Sequence, residues 1–411
     1  MFQKRILFIA FHFPPLLGSS GLLRTLKFVK YLPDFNFKPL VLTAHPRSYH
    51  KTDFNLIHQI PRDVYVKRAF ALNTQKHLTI NGKYLELFAL PDQYVSWIFG
   101  GIISGLILII KRRVDIIYST YPIASAHVIG FMLHLLTRKP WIADFRDPMK
   151  DEFIPMSRSK FKVRSIIEKF TLKYSTHILV TTNNMKKLYL ALFPEFEKKI
   201  SVVMNGYDEE DFKVLEAGNI KNKRPIRLIH AGLLDLLDRD PIPFFEAIRN
   251  LLIQEEFLDG DFIVELYSPG YNDLYNEKIN HLKLQNVIKI LPPVSYEEIL
   301  KIMTNSHILL LFQGPTCDTV IPAKIFEYFR IGRPIFALTS EEGETGRLLK
   351  KINGGEVVPI HDSEQIADAL SRWINAIKAD RKLPVAKRVD VLPYSRMKQT
   401  GLLAHILNNL K

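Results

Sequence analysis

The 411-residue sequence holds a single cysteine, Cys317. One thiol excludes an intramolecular disulfide framework and a zinc ribbon, and with no sign of an oxidising compartment the expected location is cytoplasmic. Long apolar runs are also missing. The best candidate, Tyr94 to Ile110, carries no charge but is about 17 residues long, short of the ~20 that a spanning helix needs. No basic block is interleaved with stacking aromatics, which excludes nucleic acid as a partner. Tandem repeats are absent too, so the chain is not an array. The start, Lys4-Arg5 followed by Ile6 to Phe13, superficially resembles a secretion signal. Its apolar run is short and stops at Pro14-Pro15, which reads as a first strand feeding a loop and helix.

What is present points to a globular chain of two domains, with 47% hydrophobic and 24% charged residues. Lysine plus arginine number 56 against 42 aspartate plus glutamate. Such a surface favours polyanions, here phosphorylated small molecules or anionic lipid. Tyr94 to Ile110 reads as a helix buried against a sheet, with a position in a membrane interface as the alternative. Trp97 near its start and Lys111-Arg112-Arg113 after it suggest loose peripheral attachment to the inner face of the cell membrane.

Short β-rich runs alternate with longer stretches of helical spacing, the mark of an α/β chain with doubly wound parallel sheets. The first half offers strands near 5–13, 39–43, 64–67, 115–120, 141–145, 176–182 and 201–204. The second offers them at 226–230, 262–267, 287–291, 307–312, 334–338 and 356–360, with helices starting near Pro241, Asn272, Tyr296, Ile321, Gly343 and Ser363. The expected organisation is a Rossmann-like domain over 1–207, a polar linker over 208–225, a second Rossmann-like domain over 226–378, and a final segment over 379–411. That segment ends in an amphipathic helix.

In parallel sheets ligands lie beyond the carboxyl ends of the strands. Three exits are informative. After the strand 307–312, Thr319 suits an N-cap and Pro322 a first helical turn, so a helix is expected to start close to Val320. Lys324 and Glu327, three apart, then share a face; an ammonium near a helix N-terminus suits a diphosphate, and a carboxylate suits two ribose hydroxyls. The bland alternative is a surface ion pair. The second exit is His230-Ala231-Gly232, followed by Arg239, which could grip phosphate oxygens. The third combines Gly18-Ser19-Ser20-Gly21 and Arg24 with Asp144-Phe145-Arg146-Asp147; an Arg-Asp structural pair is an equal alternative there. His127, on a helical segment, reads as a core histidine or a site residue.

These pieces together resemble the retaining GT-B glycosyltransferases of family 4, particularly the bacterial branch that works on surface polysaccharides. The resemblance is carried by Pro14-Pro15 with Gly21-Leu22-Leu23-Arg24, by Trp141 to Pro148, by Asn205-Gly206-Tyr207-Asp208 and by Ile321 to Tyr328. It implies two Rossmann-like domains facing across a cleft. The second would hold a UDP- or GDP-linked sugar, with Glu327 on the ribose, Lys324 and Arg239 at the diphosphate, and Ser295-Tyr296 at the base. The first would present a glycan or lipid-linked acceptor, and the final helix would cross back to it. It also implies retention of configuration, with Asp144, Arg146 or His127 orienting acceptor or donor and the departing phosphate taking the acceptor proton. The chain departs from the family at Thr319, where an earlier glutamate is common, and at Gly232-Leu233, where Gly-Arg is common. Asp238-Arg239-Asp240 spells the metal-binding D-x-D of the other major glycosyltransferase fold. An arginine between the acids argues against a cation, so neither metal nor cofactor is expected. A nucleotide-sugar epimerase and a non-catalytic binding protein on the same fold are the alternatives.

Overall fold

The computed structural model describes residues 3–18, 21–149, 156–213, 224–254, 256–258 and 260–410. The chain divides into two compact units, 1–205 together with 396–411, and 206–395.

In the first unit, β1 (Lys4–Ile9), α1 (Gly21–Tyr31), β2 (Phe37–Ala44), β3 (Tyr65–Ala69) and the short α2 (Thr74–His77) lead to α3 (Ser96–Arg112). Then follow β4 (Ile116–Thr120), α4 (Ala124–Thr137), β5 (Trp141–Phe145), α5 (Arg158–Tyr174), β6 (His177–Val180), α6 (Asn183–Leu192) and β7 (Ile200–Val202). The seven strands are ordered β3-β2-β1-β4-β5-β6-β7, every pairing parallel. Because helices cover both faces, β4 and β5 are buried along their whole length. Helix starts follow local chemistry: Ser157 and Thr182 cap α5 and α6 by accepting from the amides of Lys160 and Met185.

α3 contains most of the uncharged run and ends in Lys111 and Arg112. One face, with Trp97, Gly101, Gly105, Leu108 and Ile109, is buried. A Cβ at Gly101 or Gly105 would collide with Ile129 or Leu133 of α4, so the two glycines set how closely the helices pack. The helix packs against β1, β2 and β3 of the sheet, as expected, but only its buried face is covered; the opposite face lies open, with Phe99, Ile103, Ile107 and Ile110 exposed. Uniform apolarity conceals which side of a helix finds a partner.

The second unit contains β8 (Ile226–Ala231), α7 (Ile242–Ile253), β9 (Phe262–Tyr267), α8 (Asn272–His281), β10 (Ile288–Leu291), α9 (Tyr296–Thr304) and β11 (Ile308–Phe312). It continues through α10 (Lys324–Ile331), β12 (Ile335–Leu338), α11 (Glu344–Ile352), β13 (Gly355–Val358), α12 (Ser363–Lys378) and the short α13 (Arg388–Val391). Its six strands run β10-β9-β8-β11-β12-β13, again parallel throughout. The last helix, α14 (Arg396–Asn408), belongs to the first unit, where it packs on α1. Of the polar stretch after Tyr207, residues 209–212 form a 3-10 turn held by Arg330, whose guanidinium donates to Glu209 at 2.9 Å and covers the Phe212 ring. No helix among the described residues is long and apolar enough to cross a membrane.

Candidate functional site

The strand order of the second sheet reverses direction between β8 and β11. Connections there leave to opposite sides and open a crevice at the strand exits. A cavity of about 240 Å³ lies at the exits of β8, β9 and β10, lined by Ala231, Gly232, Ser268, Pro293, Tyr296, Lys324, Glu327 and others. Lys324 is the first residue of α10. Its ammonium donates to the Ala231 carbonyl at 2.6 Å, which ties the helix to the end of β8. Gly232 adopts φ +113°, and a Cβ there would sit 3.0 Å from the lysine Nζ. Only glycine meets both demands comfortably. Burial pulls the Lys324 pKa down to about 7, the Arg239 charge adds to the fall, and Glu327 opposes it.

Glu327 lies one turn along α10 and accepts from the Tyr296 hydroxyl at 2.8 Å. Ser295 caps α9, accepting from the Glu298 amide at 3.2 Å. The cap fixes where the next residue, Tyr296, begins the helix. His230, fully buried in β8, turns its two ring nitrogens to the Leu310 and Gly232 carbonyls at 3.0 and 3.1 Å. Burial and the nearby Lys324 hold its pKa well below the usual value, so the neutral ring has one N–H to donate and the tautomer decides which of the two carbonyls receives it.

The helix start differs from the sequence expectation. α10 begins at Lys324 with Ala323 at its cap position and no side-chain cap, so Thr319 does not cap it. Proline disfavours helical geometry in the residue before it, and Pro322 has no amide hydrogen to donate. The helix therefore forms behind the proline. Its first amides are engaged locally, Ile325 with the Pro322 carbonyl at 3.2 Å and Phe326 with that of Ala323 at 3.3 Å. A cation, more than a row of open amides, is what this end presents. The loop before it is held by Gln313, a residue the sequence reading passed over. Its amide nitrogen donates to the Cys317 and Val320 carbonyls at 2.7 and 3.0 Å, and its oxygen accepts from Thr345 at 2.6 Å. A glutamine directly after a wholly apolar strand is the signal that could have drawn notice to it.

Arg239 follows a turn in which the Asp235 carboxylate accepts the Asp238 amide at 2.8 Å. Asp238 accepts from the Thr316 hydroxyl, and Asp240 from the Ile242 amide at the start of α7. The two acids thus serve separate loops. Among the described residues no group of three or more histidine, cysteine or acidic side chains converges as a metal site. Ser268, Pro293 and Val294 line the cavity without having been singled out; the Ser268-Pro269-Gly270 turn after β9 and the Pro292-Pro293 pair after β10 are their sequence signals.

In the first unit, Arg24 and Asp144 are each 1% exposed. They pair through two hydrogen bonds, Nε to Oδ2 at 3.0 Å and Nη2 to Oδ1 at 2.8 Å. The remaining donors and acceptors are used as well. Arg24 Nη1 donates to the Met204 carbonyl at 2.9 Å, and Thr120 donates to Asp144 at 3.0 Å. Arg146 donates to the Gly21 carbonyl at 2.7 Å, and a Cβ on Gly21 would occupy its guanidinium. Beside it burial, and after it the Arg146 charge, pull His12 down to about 3. Gly18 has φ +87°, while Ser19 and Ser20 lie outside the described residues. His127 is fully buried; its Nδ1 meets Ser119 Oγ at 2.7 Å and its ring packs 4.7 Å from that of Phe145. Burial brings its pKa to about 3, against the opposing charge of Asp144.

No protein-family model matches the chain, and no curated protein does. Solved structures do match in fold. Anabaena Alr3699/HepE in complex with UDP and glucose gives a TM-score of 0.70 at 15% identity, over 99% of this chain and 100% of that one. Sucrose-phosphate synthase from Thermosynechococcus elongatus gives 0.67 at 13%, covering 99% of both chains. The UDP-GlcNAc 2-epimerase of Methanocaldococcus jannaschii gives 0.58 at 14%, over 98% of this chain and 99% of that one. The chain therefore has the GT-B fold of two parallel-sheet Rossmann-like domains.

Proposed function

We propose that the chain is a retaining glycosyltransferase. Its second unit binds a UDP- or GDP-linked sugar, and the sugar passes to a hydroxyl of a glycan or lipid-linked acceptor in bacterial surface polysaccharide synthesis. The observation that carries this reading is Lys324, a half-buried lysine held at a strand exit beside Arg239, with a depressed pKa that a bound polyanion would raise. A diphosphate supplies that charge, and the Glu327 carboxylate on the same helix accepts from ribose hydroxyls. Tyr296 closes the cavity on the base side. As the bond from C1 to the diphosphate oxygen breaks, negative charge collects on the departing phosphate, and Lys324 with Arg239 stabilises it. The acceptor oxygen bonds to C1 on the face the diphosphate leaves, and its proton goes to the departing phosphate. Arg146, beside Gly21 and His12, is assigned to orienting the acceptor. Arg24 with Asp144, and His127, hold the strand exits around it.

Calorimetry tests the site. At pH 8 a lysine with a pKa near 7 is mostly neutral, so UDP binding takes up close to one proton, seen as a dependence of the binding heat on buffer ionisation enthalpy. In Lys324→Met that uptake disappears, and in Glu327→Ala UDP binds about tenfold or more weakly. Binding without proton uptake in the native protein removes the lysine from the diphosphate site. The same fold in an epimerase supports a second reading, separated by product analysis: conversion of a nucleotide sugar with no acceptor and no released nucleotide would select it.

A further inference from the structure

The outer helical layer of the first unit carries a surface that the proposed transfer does not use. On α3, Phe99, Ile103, Ile107 and Ile110 recur at intervals of four, four and three residues and so form one stripe. They are 71, 62, 48 and 74% exposed. Gly101 meets Ile129 and Gly105 meets Leu133, so α4 runs in step beside α3 and sets its exposed Leu135 and Leu136 level with the end of the stripe.

Acid is almost absent from this layer. Between Asp92 and Asp144 the sequence has one carboxylate, Asp115, and it accepts from the Arg5 amide at 2.8 Å. The single acid of α5, Glu168, is buried and accepts from the Met149 amide and the Tyr189 hydroxyl. Cations crowd the border. Lys111, Arg112 and Arg113 directly follow the stripe and are exposed. Arg112 also lines, with Arg5, Lys38 and Arg62, a cavity of about 320 Å³ that contains one carboxylate, Asp63.

We propose that this face docks on a bilayer containing anionic phospholipid. The α3 stripe lies in the acyl boundary and the basic border on the headgroup phosphates, which matches apolar area to hydrocarbon and cations to fixed anions. A second copy of the chain is a poor occupant, because a two-fold contact would set this basic border against itself. At 17 residues α3 lies along the interface and does not cross it.

Sedimentation of the full chain with lipid vesicles tests the assignment. At low salt the protein pellets with vesicles of equal phosphatidylglycerol and phosphatidylcholine, and on the order of a hundredfold less with phosphatidylcholine alone. Each border cation contributes roughly fivefold, so Lys111→Gln/Arg112→Gln/Arg113→Gln lowers partitioning on the order of a hundredfold. Ile103→Ser/Ile107→Ser lowers it about tenfold or more. Melting temperature and UDP binding of both variants stay at native values, because the changed side chains are exposed and lie outside the nucleotide unit. Absence of binding, equal binding to both vesicles, or native binding by the variants overturns the proposal. So does a dimer in solution that the isoleucine changes disperse, which would give the face to a second copy.

Discussion

Lys324→Met is expected to lower kcat/KM for the sugar nucleotide by roughly 10²–10³, the usual cost of removing one charge-stabilising donor from a developing anion. The same substitution is expected to raise the melting temperature at pH 6. Below a pKa of about 7 the folded protein holds a half-buried, poorly solvated charge there, and methionine fills similar volume without one. The pH dependence follows from linkage. Between about 7 and the ordinary lysine value of 10.5, the unfolded chain binds more protons than the folded one, so native stability rises with pH across that window. The methionine variant lacks this slope. Its advantage should be largest at pH 6 and shrink by pH 9. Thermal melts at both values, set beside steady-state kinetics, check the pair of effects. Full activity, or a destabilisation independent of pH, would refute the view that stability is given up here for charge at the reacting bond.

Both sheets were legible in the sequence because their strands are buried on two faces and read as short unbroken apolar runs, Ile308 to Phe312 most clearly. Strand exits follow from that pattern, and with them the neighbourhood of Gly232, Lys324 and Glu327. Helix boundaries were less secure. Thr319 and Pro322 carry the residue types of a helix start, yet the proline delays the helix to Lys324. Contacts between distant segments were legible only as neighbourhoods. Strand exits brought Arg24 near Asp144, but local pattern does not show that these two, 120 positions apart, form the buried pair, or that Gln313 reaches Cys317, Val320 and Thr345 at once. The open stripe of α3 was hidden for a different reason. A helix apolar all round gives no phase, so only its neighbours reveal which side is covered.

Asp144→Ala is expected to destabilise the first unit by about 3–5 kcal/mol, because it leaves the Arg24 guanidinium charged, buried and without its carboxylate. For a unit of this size, that lowers its melting transition by roughly 6–20 °C. Arg24→Met/Asp144→Leu should recover much of the loss, since removing both charges also removes the need to pair them. The arginine holds the Asp144 carboxyl below its usual range. The pair's contribution is therefore present above the unfolded carboxyl value near 4 and is lost as pH falls through the lower folded value. The native protein's margin over the single variant should narrow on acidification below about pH 4. Calorimetric melts from pH 3 to 7 decide between two roles for this carboxylate. If Asp144→Ala melts within a degree or two of the native protein while turnover collapses, Asp144 acts on the reactants. If activity and melting temperature fall together and the double variant restores the melt, it acts through Arg24, by holding the strand exit in place.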